Sequence, residues 1–158
     1  MAAAITYEQL NVLNAAYAAC IDEDRLESWP DFFVDTCLYL ITTAENYQQG
    51  MPAGLVYADS KGMLKDRISA LRDANIYERQ RYRHIVSMPS IIGSDEKGLA
   101  AETPFLVARI MRGGKTDLFA TGKYVDRIAR GADGALKLAQ RIVVCDSVSF
   151  DTLLAIPL

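Results

Sequence analysis

The chain has 158 residues, 51% of them hydrophobic and 23% charged, with 17 Lys and Arg against 20 Asp and Glu for a net charge of −3. This is about one domain's worth of sequence, long enough to bury a core without disulfides or a structural metal. The weakly acidic balance excludes a nucleic-acid surface or a polybasic membrane surface, and no stretch approaches the roughly 18 apolar residues of a membrane span. The N-terminal MAAAITYEQL has neither a basic region nor a long apolar one, so no signal peptide is expected. The three cysteines, Cys20, Cys37 and Cys145, lie far apart within apolar patterns. They suit buried free thiols in a reducing compartment, the cytoplasm.

The first segment, TYEQLNVLNAAYAACID, puts Leu10, Leu13, Asn14, Tyr17, Cys20 and Ile21 on one face of an amphipathic helix. DEDRLESWPDFF predicts a second, short helix. Asp22 or Asp24 would cap it, Leu26, Trp29, Phe32 and Phe33 would form its apolar stripe, and Pro30 would end or reshape its last turn. DTCLYLITT has the bias of a strand, and AENYQQGMPAG reads as a loop. LVYADS then leads into a third helix, SKGMLKDRISALRDA, with Ser60 as its cap.

From Glu78 onward only strands are expected. RQRYRHIVSM is one, and GSDEKG at 93–98 is a solvated loop. AAETPFLVARIMR, KTDLFATGKYVDRIAR and ALKLAQRIVVCDSV then form a three-strand antiparallel meander, turning at Gly113–Gly114 and at GADG. The whole reads as a single domain, 1–158, of the α+β class: a curved antiparallel sheet wrapped on three N-terminal helices into a cone. Inward polar residues would line the cone.

The only histidine, His84, decides what chemistry is open to the chain. One imidazole cannot build a two-histidine iron site or a Rieske cluster, and no CxxC or HxxxH pair is present for zinc. There is no P-loop, GxGxxG or GxSxG either. Acid–base chemistry needs no metal, and its candidates are Tyr17, Asp22, Asp35, Asp66, His84, Asp126, Arg141 and Asp146. Against this stands a plain structural reading, in which His84 is a strand histidine bonded to backbone or carboxylate. It would share a face with Tyr82 and Val86, with Arg81 and Arg83 turned away. Trp29 with Phe32 and Phe33 reads as core. Asp66, Arg67 and Arg72 read as a solvated face or an intersubunit network. Arg141 with Asp146 reads as an ion pair, in the cavity or at its rim.

Three stretches together carry a resemblance: LNAAYAACIDEDRLESWPDFFVDTCLY, DSKGMLKDRISALRDANIYERQRYRH and RIVVCDSVSFDTLLAIPL. They resemble the small (beta) subunits of Rieske-type aromatic-ring-hydroxylating dioxygenases. The likeness rests on the run Asp24 to Trp29, on Asp66–Arg67–Ile68, on Tyr82–Arg83–His84 and on Arg141 to Asp146. Within the family, ANIYERQRYRH and DTLLAIPL look closest to the small subunits for aromatic carboxylates, terephthalate first, then anthranilate and salicylate.

The resemblance implies the cone fold of nuclear transport factor, scytalone dehydratase and ketosteroid isomerase. It implies a chain without a cofactor, in a complex of three large and three small subunits. The large alpha subunit would carry the Rieske [2Fe–2S] cluster and the mononuclear Fe(II), fed from NADH or NADPH by a separate reductase. On this reading Trp29, Asp66, Arg67, Tyr82, Arg83, His84, Arg141, Asp146 and Asp151 are structural or subunit-contact residues. Two alternatives remain at this point. One is a stand-alone isomerase, dehydratase or cyclase using His84 with Asp35 or Asp66. The other is a ligand-binding scaffold of the same fold.

Overall fold

A computed structural model describes residues 3–51, 54–74, 79–150 and 154–158. Pro52, Glu78 and Asp151 lie outside these. The elements run in the order α1 (Tyr7–Asp22), a 3₁₀ helix (Leu26–Phe32), β1 (Phe33–Thr43), α2 (Ala44–Gln48), β2 (Val56–Ala58), α3 (Lys61–Ala74), β3 (Gln80–Val86), β4 (Ser90–Asp95), β5 (Gly98–Met111), β6 (Thr116–Arg130) and β7 (Leu136–Cys145).

Local chemistry explains the helix starts. Thr6 and Gln9 form a capping box at α1: Gln9 N–H donates to Thr6 Oγ1 at 3.2 Å, and Thr6 N–H to Gln9 Oε1 at 3.0 Å. Ser60 Oγ accepts from Met63 N–H at 3.2 Å and starts α3. The second helix departs from expectation. Asp22 is instead the last residue of α1, and its carboxylate is taken by His84. Asp24 turns back with φ 58° and gives its carboxylate to Arg72. The element that follows is therefore a 3₁₀ helix entered through Arg25 with no side-chain cap. Tertiary partners outbid the local capping role of both acids.

Two expected loops also hold structure. Residues 44–48 form α2, capped by Thr43 Oγ1 on Asn46 N–H at 3.2 Å. The stretch 93–98 is the end of β4 and a tight hairpin, where Asp95 Oδ1 accepts from Lys97 N–H at 2.8 Å. Gly98 opens β5 with φ 118°, and a Cβ there would meet the Ile128 carbonyl oxygen at 2.4 Å, so only glycine fits.

Among the described residues the sheet has seven strands, in the order β2-β1-β7-β6-β5-β3 with β4 also pairing β5. β5, β6 and β7 form the antiparallel meander. The β1–β7 pair is parallel, which the sequence reading did not anticipate. More than half of the chain, residues 44–135, separates these strands, ample for the crossover that a parallel pair needs. Register shifts in β1–β7, β4–β5, β5–β6 and β6–β7 act as bulges, and these bend the strands into a curved, unclosed sheet. α1 packs on β3 and on the 3₁₀ helix, and α3 on the 3₁₀ helix and β1. The core fills the hollow of the cone. Trp29, Phe33 and Tyr39 meet edge to face there at 5.0–5.8 Å between ring centroids.

Candidate functional site

Strand alternation turns Tyr82 and His84 of β3 inward and Arg81, Arg83 and Ile85 outward. His84 meets the end of α1. Its Nδ1 lies 2.6 Å from Asp22 Oδ1, and its backbone N–H donates to Asp22 Oδ2 at 2.8 Å. The two side chains are 0% and 3% exposed. One carboxylate thus engages both the ring and the backbone of a single residue, clamping α1 onto β3. His84 Nε2 is buried and has no hydrogen-bond partner among the described residues. Asp35 and Asp66, the acids proposed for a His84 dyad, are both exposed and do not pair with it. The partner is Asp22, which the sequence offered as a candidate acid and as a helix cap.

A second cluster centres on Arg141. Register places it opposite Asp126, on the inward face of β7 and β6. Arg141 Nε donates to Asp126 Oδ1 at 2.9 Å and Nη2 to Asp126 Oδ2 at 2.8 Å, a bidentate pair, and Nη2 also donates to Asn14 Oδ1 at 2.6 Å. The guanidinium lies over the rings of Tyr124 at 3.9 Å and Tyr17 at 4.2 Å. Burial disfavours its charge, but Asp126 outweighs burial and holds the Arg141 pKa above its ordinary value. Burial pushes the Asp126 carboxyl up, and the guanidinium pulls it back. The expected Arg141–Asp146 pair is not formed. Asp146 is exposed and follows β7, where it accepts from Thr121 Oγ1 at 2.8 Å. A polar residue facing inward in the middle of a strand was the signal for Asp126. For Asn14 it was an amide on an otherwise apolar helix face.

The remaining candidates scatter. Trp29 is in the core, and Arg83 is exposed on the outer sheet face. Tyr82 is buried, its ring 5.2 Å from that of Phe119. Arg67 turns from α3 to the Leu154 carbonyl oxygen, while Asp66 stays exposed. Arg72 forks onto Glu27 and Asp24 of the same chain at 2.7 and 2.9 Å. Asp151 lies outside the described residues. Asp66 and Arg67 line a cavity of about 1090 Å³ at the mouth of the cone, together with Tyr57, Met63, Phe150 and Leu154. His84 is not on its wall.

Among the described residues no three His, Cys, Asp or Glu side chains are grouped to hold a metal. The three cysteines are free and buried. Burial pushes the Cys145 thiol up to about 12, with Asp146 adding to the effect, so it is a poor ligand or nucleophile. One histidine cannot supply the two imidazoles of a Rieske cluster. The residues present do not fit that group. Nor is any helix among the described residues long and apolar enough to cross a membrane.

The family model described as "Ring hydroxylating beta subunit" matches residues 16–151. The chain is 53% identical over 150 residues to the subunit beta 2 of the terminal oxygenase component of terephthalate 1,2-dioxygenase from Comamonas sp, covering 95% of this chain and 97% of that relative. It is 35% identical over 153 residues to the small subunit of anthranilate 1,2-dioxygenase from Burkholderia cepacia, covering 97% and 94%. Among solved structures it superposes, with a TM-score of 0.87 and 39% identity over 96% of both chains, on a protein from Novosphingobium aromaticivorans described as the beta subunit of an aromatic-ring-hydroxylating dioxygenase. ActVI-ORFA from Streptomyces coelicolor shares the fold, with a TM-score of 0.72 at 16% identity over 90% of this chain and 96% of that one. With its cone and these relatives, the chain belongs to the beta subunits of ring-hydroxylating dioxygenases.

Proposed function

We propose that this chain is one structural small-subunit domain that assembles and stabilises the catalytic alpha subunits of a Rieske non-haem iron oxygenase, and that the assembled enzyme adds dioxygen to an aromatic carboxylate, terephthalate first. The observation that carries this reading is the 53% identity across nearly the whole chain to a terephthalate dioxygenase small subunit. The interior supports a structural role, because these buried polar side chains bond one another: Asp22 with His84, and Asp126 and Asn14 with Arg141. A proton-transfer site needs a group within reach of a substrate, and His84 stands off the cavity wall. The Rieske cluster and the mononuclear Fe(II) belong on this reading to the large subunit, and NADH or NADPH serves it through a separate reductase. The setting is the cytoplasm.

The outer sheet face supports self-association. Ile85 of β3 pairs with Leu106 of β5, and Ala108 beside them pairs with Leu118 of β6. Ile85 and Leu118 are 58% and 66% exposed. An apolar stripe of this kind on a two-sided sheet calls for a neighbour. The neighbours we propose are a trimer of small subunits and the large subunits on it, three of each in all.

Co-expression with the large subunit tests the assignment. A stable complex with equal numbers of both chains and terephthalate-dependent oxygen uptake is the expected result. Full activity of the large subunit without this chain would overturn the structural role, and a complex indifferent to terephthalate would overturn the substrate.

A further inference from the structure

The segment Leu154–Leu158 runs into the cone rather than over it. Leu154, Ile156 and Leu158 are buried, Leu158 completely. The Leu158 backbone oxygen accepts two hydrogen bonds from different elements, from the Tyr17 hydroxyl of α1 at 2.8 Å and from the Tyr39 hydroxyl of β1 at 3.0 Å. Leu158 N–H donates back to the Tyr39 oxygen at 3.1 Å. Farther out, Arg67 of α3 holds the Leu154 carbonyl oxygen. Both tyrosines are fully buried, and Trp29 and Phe33 surround Tyr39 with ring edges. Two buried hydroxyls that converge on one oxygen form a built acceptor site at the end of an apolar sleeve. An empty sleeve would leave both donors without this acceptor, away from water, which proteins avoid.

We propose that Leu154–Leu158 acts as an internal ligand: it occupies a two-tyrosine acceptor-oxygen site within the cone, which without the segment takes a small branched aliphatic amide or carboxylate. The class follows from the occupant. Its oxygen is an acceptor, its side chain is an isobutyl group, and the Arg141 guanidinium over the Tyr17 ring adds a positive field that favours an electron-rich oxygen. Burial holds the Tyr39 hydroxyl well above its ordinary pKa, so it stays a donor through the neutral range. The mouth cavity, whose wall includes Leu154 and Ala155, would run on into the vacated sleeve. Filling that sleeve in cis turns a hollow cone into a solid support. The inference rests on the interior geometry and not on the oxygenase assignment.

The test compares the full chain with a variant lacking residues 154–158. Deletion is expected to lower Tm. Adding the peptide Leu-Ala-Ile-Pro-Leu, and at least one of 4-methylpentanamide and 4-methylpentanoate, is expected to raise the variant's Tm in a saturable way. 3-Methylbutylamine, which has a similar body but a cationic donor in place of the acceptor oxygen, should have no effect. The full chain, its site already filled, should respond to none of them. Tyr39→Phe in the deletion variant should weaken the response about tenfold. Equal Tm with and without the segment, equal responses of both chains, or indifference to Tyr39→Phe would each overturn the proposal. If the deletion variant does not fold, the peptide supplied during refolding is expected to restore it, and its failure to do so would count equally against the internal ligand.

Discussion

Arg141 and Arg72 make the same bond in two different media. Each forks onto carboxylate oxygens, Arg141 at 2.8–2.9 Å and Arg72 at 2.7–3.1 Å. Arg141 is fully enclosed and lies over the rings of two tyrosines, whereas Arg72 leaves 33% of its side chain in water and binds Asp24 and Glu27 at the surface. In water the Coulomb gain is small and salt screens it. In the interior it is large, but it only repays the cost of taking two charges out of water. The buried pair therefore contributes little as a pair, yet removal of one member is severe. Matched geometry does not mean matched energy.

The largest effect is expected at the buried pair. Arg141→Met alone strands the Asp126 carboxylate in the core and should cost about 3–5 kcal/mol, read from denaturant midpoints. Arg141→Met combined with Asp126→Leu should recover most of that loss. A double variant as unstable as the single one would show that the pair is itself strongly stabilising.

Alkali probes the neutral groups of the same interior. The Cys145 thiol is raised from 9.0 to about 12 in the fold. Between those values the unfolded chain loses its proton and the folded chain keeps it. Stability from this group is thus complete below pH 9 and declines as pH rises toward 12. Tyr17, Tyr39 and Tyr124 are raised too, and act in the same direction above pH 10. Unfolding curves taken against pH should show this loss, and Cys145→Ala should make it shallower. An unchanged slope would mean that the thiol does not contribute.

His84 lies between the two extremes, since it is buried but its bond partner is a single acid. His84→Ala should cost on the order of 1–3 kcal/mol through the lost hydrogen bond and packing. Turnover per intact complex with the large subunit should change little. A well-assembled, iron-loaded but inactive complex would show that this imidazole takes part in the reaction.

The smallest effect belongs to the surface fork. Arg72→Ala should cost under about 1 kcal/mol, and less in high salt. The Arg72 hydrogen bond depresses the Glu27 carboxyl, so this contribution is present at neutral pH and fades as pH falls below the ordinary value of 4.5. A loss at Arg72 as large as at Arg141, insensitive to salt, would break the comparison.

Much of this was legible in the chain itself. The apolar face of α1, the Ser60 cap, the meander turns and the inward placement of Tyr82 and His84 follow from spacing and turn chemistry. Each depends on neighbours within a few residues. The count of one histidine likewise decided, before any coordinates, that neither iron centre could be built here. The partners of the charged residues were not legible. Asp22 meets His84 across 62 positions, Asn14 meets Arg141 across 127, and Tyr17 meets Leu158 across 141. Local rules offered Asp22 a helix to cap and Arg141 a nearby acid, Asp146. The fold assigned both elsewhere, because a buried charge must find its counter-charge wherever the folded core places one. Sequence by itself determined α1, α3, the meander and the family resemblance. Only the tertiary structure decided the parallel β1–β7 pair, the clamp on His84 and the burial of Leu158 between Tyr17 and Tyr39, since these rest on contacts that no local pattern encodes.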